Sequence, residues 1–113
     1  MSVFATQCPM MKQGNQLVPK FKLDIDDPAG REIRANYGPL IWILEPNVAP
    51  WSPGVFDTMK KNLYAYNGER DYLLLLGNPM LMSMMAVFAA EHNDHLQFLQ
   101  WSNGQYMPLR IDL

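Results

Sequence analysis

The stretch Asp71-Tyr72-Leu73-Leu74-Leu75-Leu76-Gly77-Asn78-Pro79 constrains the fold more than any other part of the chain. Its leucines run without alternation, as expected of a strand covered on both faces. Asn78-Pro79 then supplies a capping side chain followed by a proline suited to the first helical turn. The segment reads as a buried strand over 71–76 leading into a helix from Pro79 to about His92. Leu40-Ile41-Trp42-Ile43-Leu44 is a second unalternating run, a central strand over about 40–45. After Pro46 and Pro50, Ser52-Pro53 repeats the cap-then-proline pattern, and Val55, Phe56, Met59, Leu63 and Tyr66 recur at helical spacing up to a stop at Asn67-Gly68.

A third strand is expected over about 96–101 and an antiparallel partner over about 106–112, joined by Asn103-Gly104, a pair that tolerates the positive φ angles of a two-residue hairpin turn. That turn pairs Ser102 with Gln105 and sets Trp101 opposite Tyr106, while Pro108 restricts the last strand to a sheet edge. Two successive strand-helix-strand units require parallel strands. The fold class is therefore α/β: a small three-stranded parallel sheet core with two crossover helices, a C-terminal antiparallel hairpin strand and an extended N-terminal arm or hairpin.

Residues 1–19 show neither strand nor helix period, and their apolar content (Val3, Phe4, Met10, Met11, Leu17, Val18) suits an arm lying against its own domain or a neighbouring subunit. Phe21, Leu23 and Ile25 alternate with polar residues as in a half-buried strand over Lys20–Ile25. Asp26 to Gly30 has turn chemistry, and Arg31–Ala35 is expected to return as a strand. The reading divides the chain into residues 1–36, an arm and hairpin, and residues 37–113, a single α/β domain.

Of 113 residues, 9 are Lys or Arg and 11 are Asp or Glu, a net charge of −2, so the general attraction on which phosphate-backbone binders rely is missing. The longest apolar run, Pro79 to Ala90, falls short of the roughly 20 residues of a membrane-spanning helix, and the N-terminus lacks the pattern of a secretory signal. A single cysteine, Cys8, fits a cytoplasmic setting.

Candidate chemistry is sparse. Ligands of open parallel sheets gather beyond the carboxyl ends of the strands, which singles out Glu45, Gly77 and Asn78 as a ligand-binding set for a phosphate or carboxylate. The phosphate-binding glycine motifs are absent, and the plainer reading of Gly77-Asn78-Pro79 is a helix cap. Glu91-His92-Asn93-Asp94-His95 has too few ligands for a metal centre, and His92 is expected at the helix C-terminus with Asn93-Asp94 as a turn. Asp24, Asp26 and Asp27 fail the spacing of a calcium loop, and Cys8 has no histidine or basic cluster adjacent in sequence to make it a nucleophile, which leaves a partner in space open. No catalytic residue, metal or cofactor is assigned.

The nine methionines are the unusual feature, with Met80, Met82, Met84 and Met85 in one helix that is apolar nearly all round. Flexible thioethers suit adaptable contact surfaces, so these four are the expected partner-binding residues, with packing beneath the arm as the internal alternative.

The strand at 71–76, the Gly-Asn-Pro helix start, Leu99-Gln100-Trp101 and Tyr106-Met107-Pro108-Leu109 together resemble short uncharacterised α/β proteins encoded by tailed bacteriophages, over residues 37–113. The resemblance implies a phage origin and production in the infected bacterial cytoplasm, leaves incorporation into virions open, and transfers no activity. The leading expectation is a non-enzymatic interaction or structural accessory protein that binds a protein partner or itself. The rival is a small nucleotide- or anion-binding domain using the C-terminal edge of its sheet.

Overall fold

The computed structural model describes residues 1–19 and 27–113; the expected strand over Lys20–Ile25 lies outside the described residues. In chain order the elements are β1 (Val3–Ala5), β2 (Met10–Gln13), β3 (Gln16–Pro19), α1 (Pro28–Tyr37), β4 (Leu40–Trp42), α2 (Val55–Leu63), β5 (Tyr72–Leu74), α3 (Pro79–Ala90), β6 (His95–Ser102) and β7 (Gln105–Asp112). Five strands form one sheet in the order β4-β1-β5-β6-β7, and β2 and β3 form a separate antiparallel ribbon. β1 is parallel to both β4 and β5, β5 is parallel to β6, and only β7 runs against its neighbour.

The α/β architecture with a C-terminal antiparallel hairpin is as expected, but the strand order carries a correction. The run at 40–45 is an edge strand of the sheet, and the place beside it belongs to Val3-Phe4-Ala5, from the segment read as an arm. All three residues are buried. Residues 1–36 thus contribute a central strand and a packed helix to the same core as residues 37–113.

Arg31–Ala35 is helix, not a return strand, because Asp27-Pro28 is the same start signal as Asn78-Pro79: Pro28 sits in the first turn of α1. Ala29, Ile33 and Tyr37, four residues apart, then face the sheet together with Val3, Ala5, Leu74 and Leu99. The opposite face holds Phe4, Leu73 and Leu96 against Val55, Met59 and Leu63 of α2 and Leu81, Met85, Phe88 and Ala89 of α3. The connection from β1 to β4 runs one way across the sheet, and those from β4 to β5 and β5 to β6 run the other. With one handedness, such connections must lie on opposite faces, which makes the sheet doubly wound.

Three local details depart from the expected boundaries. α2 starts at Gly54, whose φ of 71° suits glycine, while the Ser52 hydroxyl accepts the Ala49 amide instead of capping the helix. α2 ends at Leu63, and Tyr66 lies beyond it, its hydroxyl accepting the Gln97 amide at 3.1 Å. Burial raises the Tyr66 phenol above its ordinary pKa of 10.0 despite that bond, with a further upward push from the Asp71 carboxylate. At the end of α3, Asn93 rather than His92 supplies the closing bond, donating to the Ala89 carbonyl at 2.7 Å. The β6–β7 hairpin follows its sequence: Asn103 and Gly104 take φ of 52° and 80°, Ser102 pairs with Gln105, and the Trp101 and Tyr106 rings meet edge to face at 4.9 Å.

Phe4 packs edge-on against Tyr66 with ring centroids 5.6 Å apart. Phe4→Ala should therefore lower the unfolding free energy by about 3 to 5 kcal/mol in urea titration, as for a core aromatic. A change within about 0.5 kcal/mol would match a surface arm.

Candidate functional site

The connections after β1 and β5 leave for opposite faces of the sheet, so the crevice between their carboxyl ends is where a doubly wound sheet receives a ligand. In this protein the chain's own side chains fill it. The buried Thr6 hydroxyl lies 3.0 Å from the Met85 sulfur and 3.4 Å from the Leu74 carbonyl, and it accepts the Leu76 amide. Gln7, also buried, donates from Nε2 to the carbonyls of Glu45 (3.1 Å) and Val48 (2.6 Å), and its Oε1 accepts the Asn78 amide (3.4 Å). One side chain thus ties together the loops that follow β1, β4 and β5.

Gly77 and Asn78 are explained by that arrangement. Gly77 has φ of 93°, and a Cβ there would come within 2.8 Å of Gln7 Oε1, so the close approach this glycine permits is that of Gln7. Asn78 caps α3 as its sequence predicted, its Oδ1 accepting the amides of Met80 (2.9 Å) and Leu81 (3.4 Å). Pro79 has no amide hydrogen, and the Met82 amide already donates to the Asn78 carbonyl. The first turn of α3 therefore has no uncommitted amide to offer an anion.

Glu45 lines an open cleft of about 620 Å³ beside the carboxyl end of β4, and neither Gly77 nor Asn78 is part of that lining. The cleft is lined by Cys8, Trp42, Glu45, Val48, Ser52 and Asn62, among others, and among the described residues Glu45 is the one charged member of its lining. Asn62 holds one wall in place by donating to the Ile43 carbonyl at 2.8 Å. With no Lys or Arg among the described lining residues, the carboxylate repels phosphate, so this cleft suits an apolar or cationic group. Gln7 had no sequence signal, being a lone glutamine after Val3-Phe4-Ala5-Thr6.

The four methionines divide. Met80 is exposed, Met82 and Met84 are half-buried, and Met85 is fully buried against Thr6, which makes it core within this chain. His92 is exposed, whereas His95 is buried with its Nε2 3.4 Å from a Glu69 carboxylate oxygen. Among the described residues no group of three His, Cys, Asp or Glu side chains is placed to hold a metal ion.

The whole chain, residues 1–113, matches the family model described as phage Pam3 gp32-like protein. It belongs to that family. The match includes the first 36 residues, which the resemblance to phage proteins had left out. No curated protein and no solved structure matches the chain. Among the described residues of this phage protein, no helix is long and apolar enough to cross a membrane.

If Asn78 is a cap, Asn78→Ala should cost about 0.5 to 2 kcal/mol of stability, measured by chemical denaturation. Unchanged stability would mean that the two amides it serves do not depend on it.

Proposed function

We propose that this phage protein is a non-enzymatic interaction or structural accessory protein. The supporting observation is the outer face of β7. Met107, Leu109 and Ile111 alternate along this edge strand opposite Gln100, Phe98 and Leu96, on the face of the sheet that carries α3, and all three are exposed by 43% or more. A row of apolar side chains on an open edge is a contact surface rather than scattered surface hydrophobicity. On α3, Met80 and Val87 are exposed with half-buried Met84 between them at helical spacing, adding an apolar stripe. In this reading the partner rests on β7 and on Met80, Met82 and Met84, while Met85 supports them from within. A phage protein is made in the cytoplasm of the infected bacterium, and the virion is the second location the reading allows.

The rival reading, a nucleotide or anion binder acting through Glu45, Gly77 and Asn78, has against it the committed amides of α3 and the cleft at Glu45, whose lining includes neither Gly77 nor Asn78. Saturating nucleotide at 100 times its dissociation constant would stabilise a binder by about 2.7 kcal/mol. Thermal-shift measurements with nucleotides and phosphate are expected to show no such stabilisation.

Leu109→Lys and Met80→Lys should each abolish stoichiometric co-purification of the partner from infected cells. Their own stability should stay within about 0.5 kcal/mol of the parent, since both sites face solvent in the free chain. Retention of the same partner by both variants would contradict the proposal.

A further inference from the structure

The β2–β3 hairpin is an insertion between β1 and α1, and it leaves the body beside the cleft: Cys8 lines the cleft, and Met10 begins β2 two residues later. Gly14 makes the turn with φ of 65°. The ladder pairs Met10 with Pro19 and Lys12 with Leu17, so these four side chains share one face. Residues 11–17 are all exposed. A two-stranded ribbon of this length is marginal in water unless a surface supports it. The cleft of the same chain does not do so, because none of residues 10–19 lines it.

Among the described residues neither surface has a partner, and the two complement each other. The hairpin face is apolar apart from one cation, Lys12, and among the described residues the cleft lining is apolar or neutral apart from one anion, Glu45. Covering Glu45 with a neutral surface would strand a charge, whereas a lysine lets the apolar stem pack while its ammonium meets the carboxylate. Each strand of the hairpin spans about 13 Å, long enough to reach past the sheet edge into a neighbour. The cleft rim adds an anchor. Trp51 is 85% exposed on a turn closed by the Ser52 amide donating to the Ala49 carbonyl and the Ala49 amide to the Ser52 hydroxyl, with Pro50 and Pro53 on either side. A large aromatic held rigidly in water is the kind of group that dominates an interface once covered.

We propose that two copies of the chain form a dimer in which the β2–β3 hairpin of each seats its Lys12/Leu17 face in the Glu45 cleft of the other. Hairpin and cleft both lie at the carboxyl edge of the sheet, so one two-fold operation makes both contacts at once and closes the assembly at two copies. This contact is independent of the β7 surface.

Sedimentation equilibrium of the full chain tests it. The parent protein should be a dimer, and Glu45→Lys and Lys12→Glu should each weaken association by about tenfold or more, because each places like charges face to face twice per dimer. Circular dichroism melts should stay near the parent, since both residues are exposed. An equimolar mixture of the two single variants should dimerise again: in the mixed dimer each hairpin meets a cleft of opposite charge. A contact within one chain could not be rescued by mixing. The proposal is overturned if the parent is monomeric at high protein concentration, if either single variant dimerises like the parent, or if mixing restores nothing.

Discussion

Three residues, Val3, Phe4 and Ala5, hold this fold together by occupying the slot between β4 and β5. Their backbone pairs with parallel strands on both sides, and their side chains enter both cores: Val3 and Ala5 the one beneath α1, Phe4 the one beneath α2 and α3. Without β1, the edge strand β4 would lose its partner among the described strands, and both cores would lose the part of their shared wall that lies between β4 and β5. The chain secures the start of this strand with Asp71, whose carboxylate accepts the Ser2 amide at 3.0 Å and the Asn67 amide at 2.9 Å.

The site follows from that insertion. Because β1 feeds α1 on one face and β5 feeds α3 on the other, a crevice opens between Thr6-Gln7 and Gly77-Asn78, where such folds usually bind ligands. Gln7 occupies it with three hydrogen bonds and converts a ligand crevice into a structural joint. An open cleft lies to one side, lined by Glu45, and the segment following Gln7 departs as a hairpin. The surfaces on which the proposals rest are apolar ones: the β7 edge, the α3 stripe and the hairpin with its neighbouring cleft.

Much of this was legible in the sequence where the signal was local. Asn103-Gly104 located the last hairpin and its register, and Asn78-Pro79 located both the start of α3 and its cap, because turn and cap chemistry act over two or three residues. β1 was not legible, since three apolar residues are too few to display a period. α1 carried its own start signal in Asp27-Pro28, yet its inward face is Ala29, Gly30, Ile33 and Tyr37 among charged neighbours, which obscured the four-residue spacing. In the Met-rich helix the difficulty was the reverse. Apolar residues all round hide which side meets the sheet, so Met85 in the core and Met80 in solvent looked alike until the strand order separated them. Glu45, Gly77 and Asn78 share one edge of the sheet, but the glutamine that divides their roles has no motif to announce it.

Membership of the phage Pam3 gp32-like family extends over all 113 residues, in keeping with a core that needs the chain's first strand as much as its last. The most direct test of this account is native-state hydrogen exchange at residues 3–6. The Val3 amide donates to the Pro39 carbonyl at 2.7 Å and the Thr6 amide to the Leu74 carbonyl at 3.2 Å, both within buried backbone. These amides should exchange only through global unfolding, at the free energy found for the amides of β5 and β6. Rapid exchange at residues 3–6 while β5 and β6 stay protected would mean that the segment is an arm after all, and the account of the sheet, the crevice and Gln7 would fall with it.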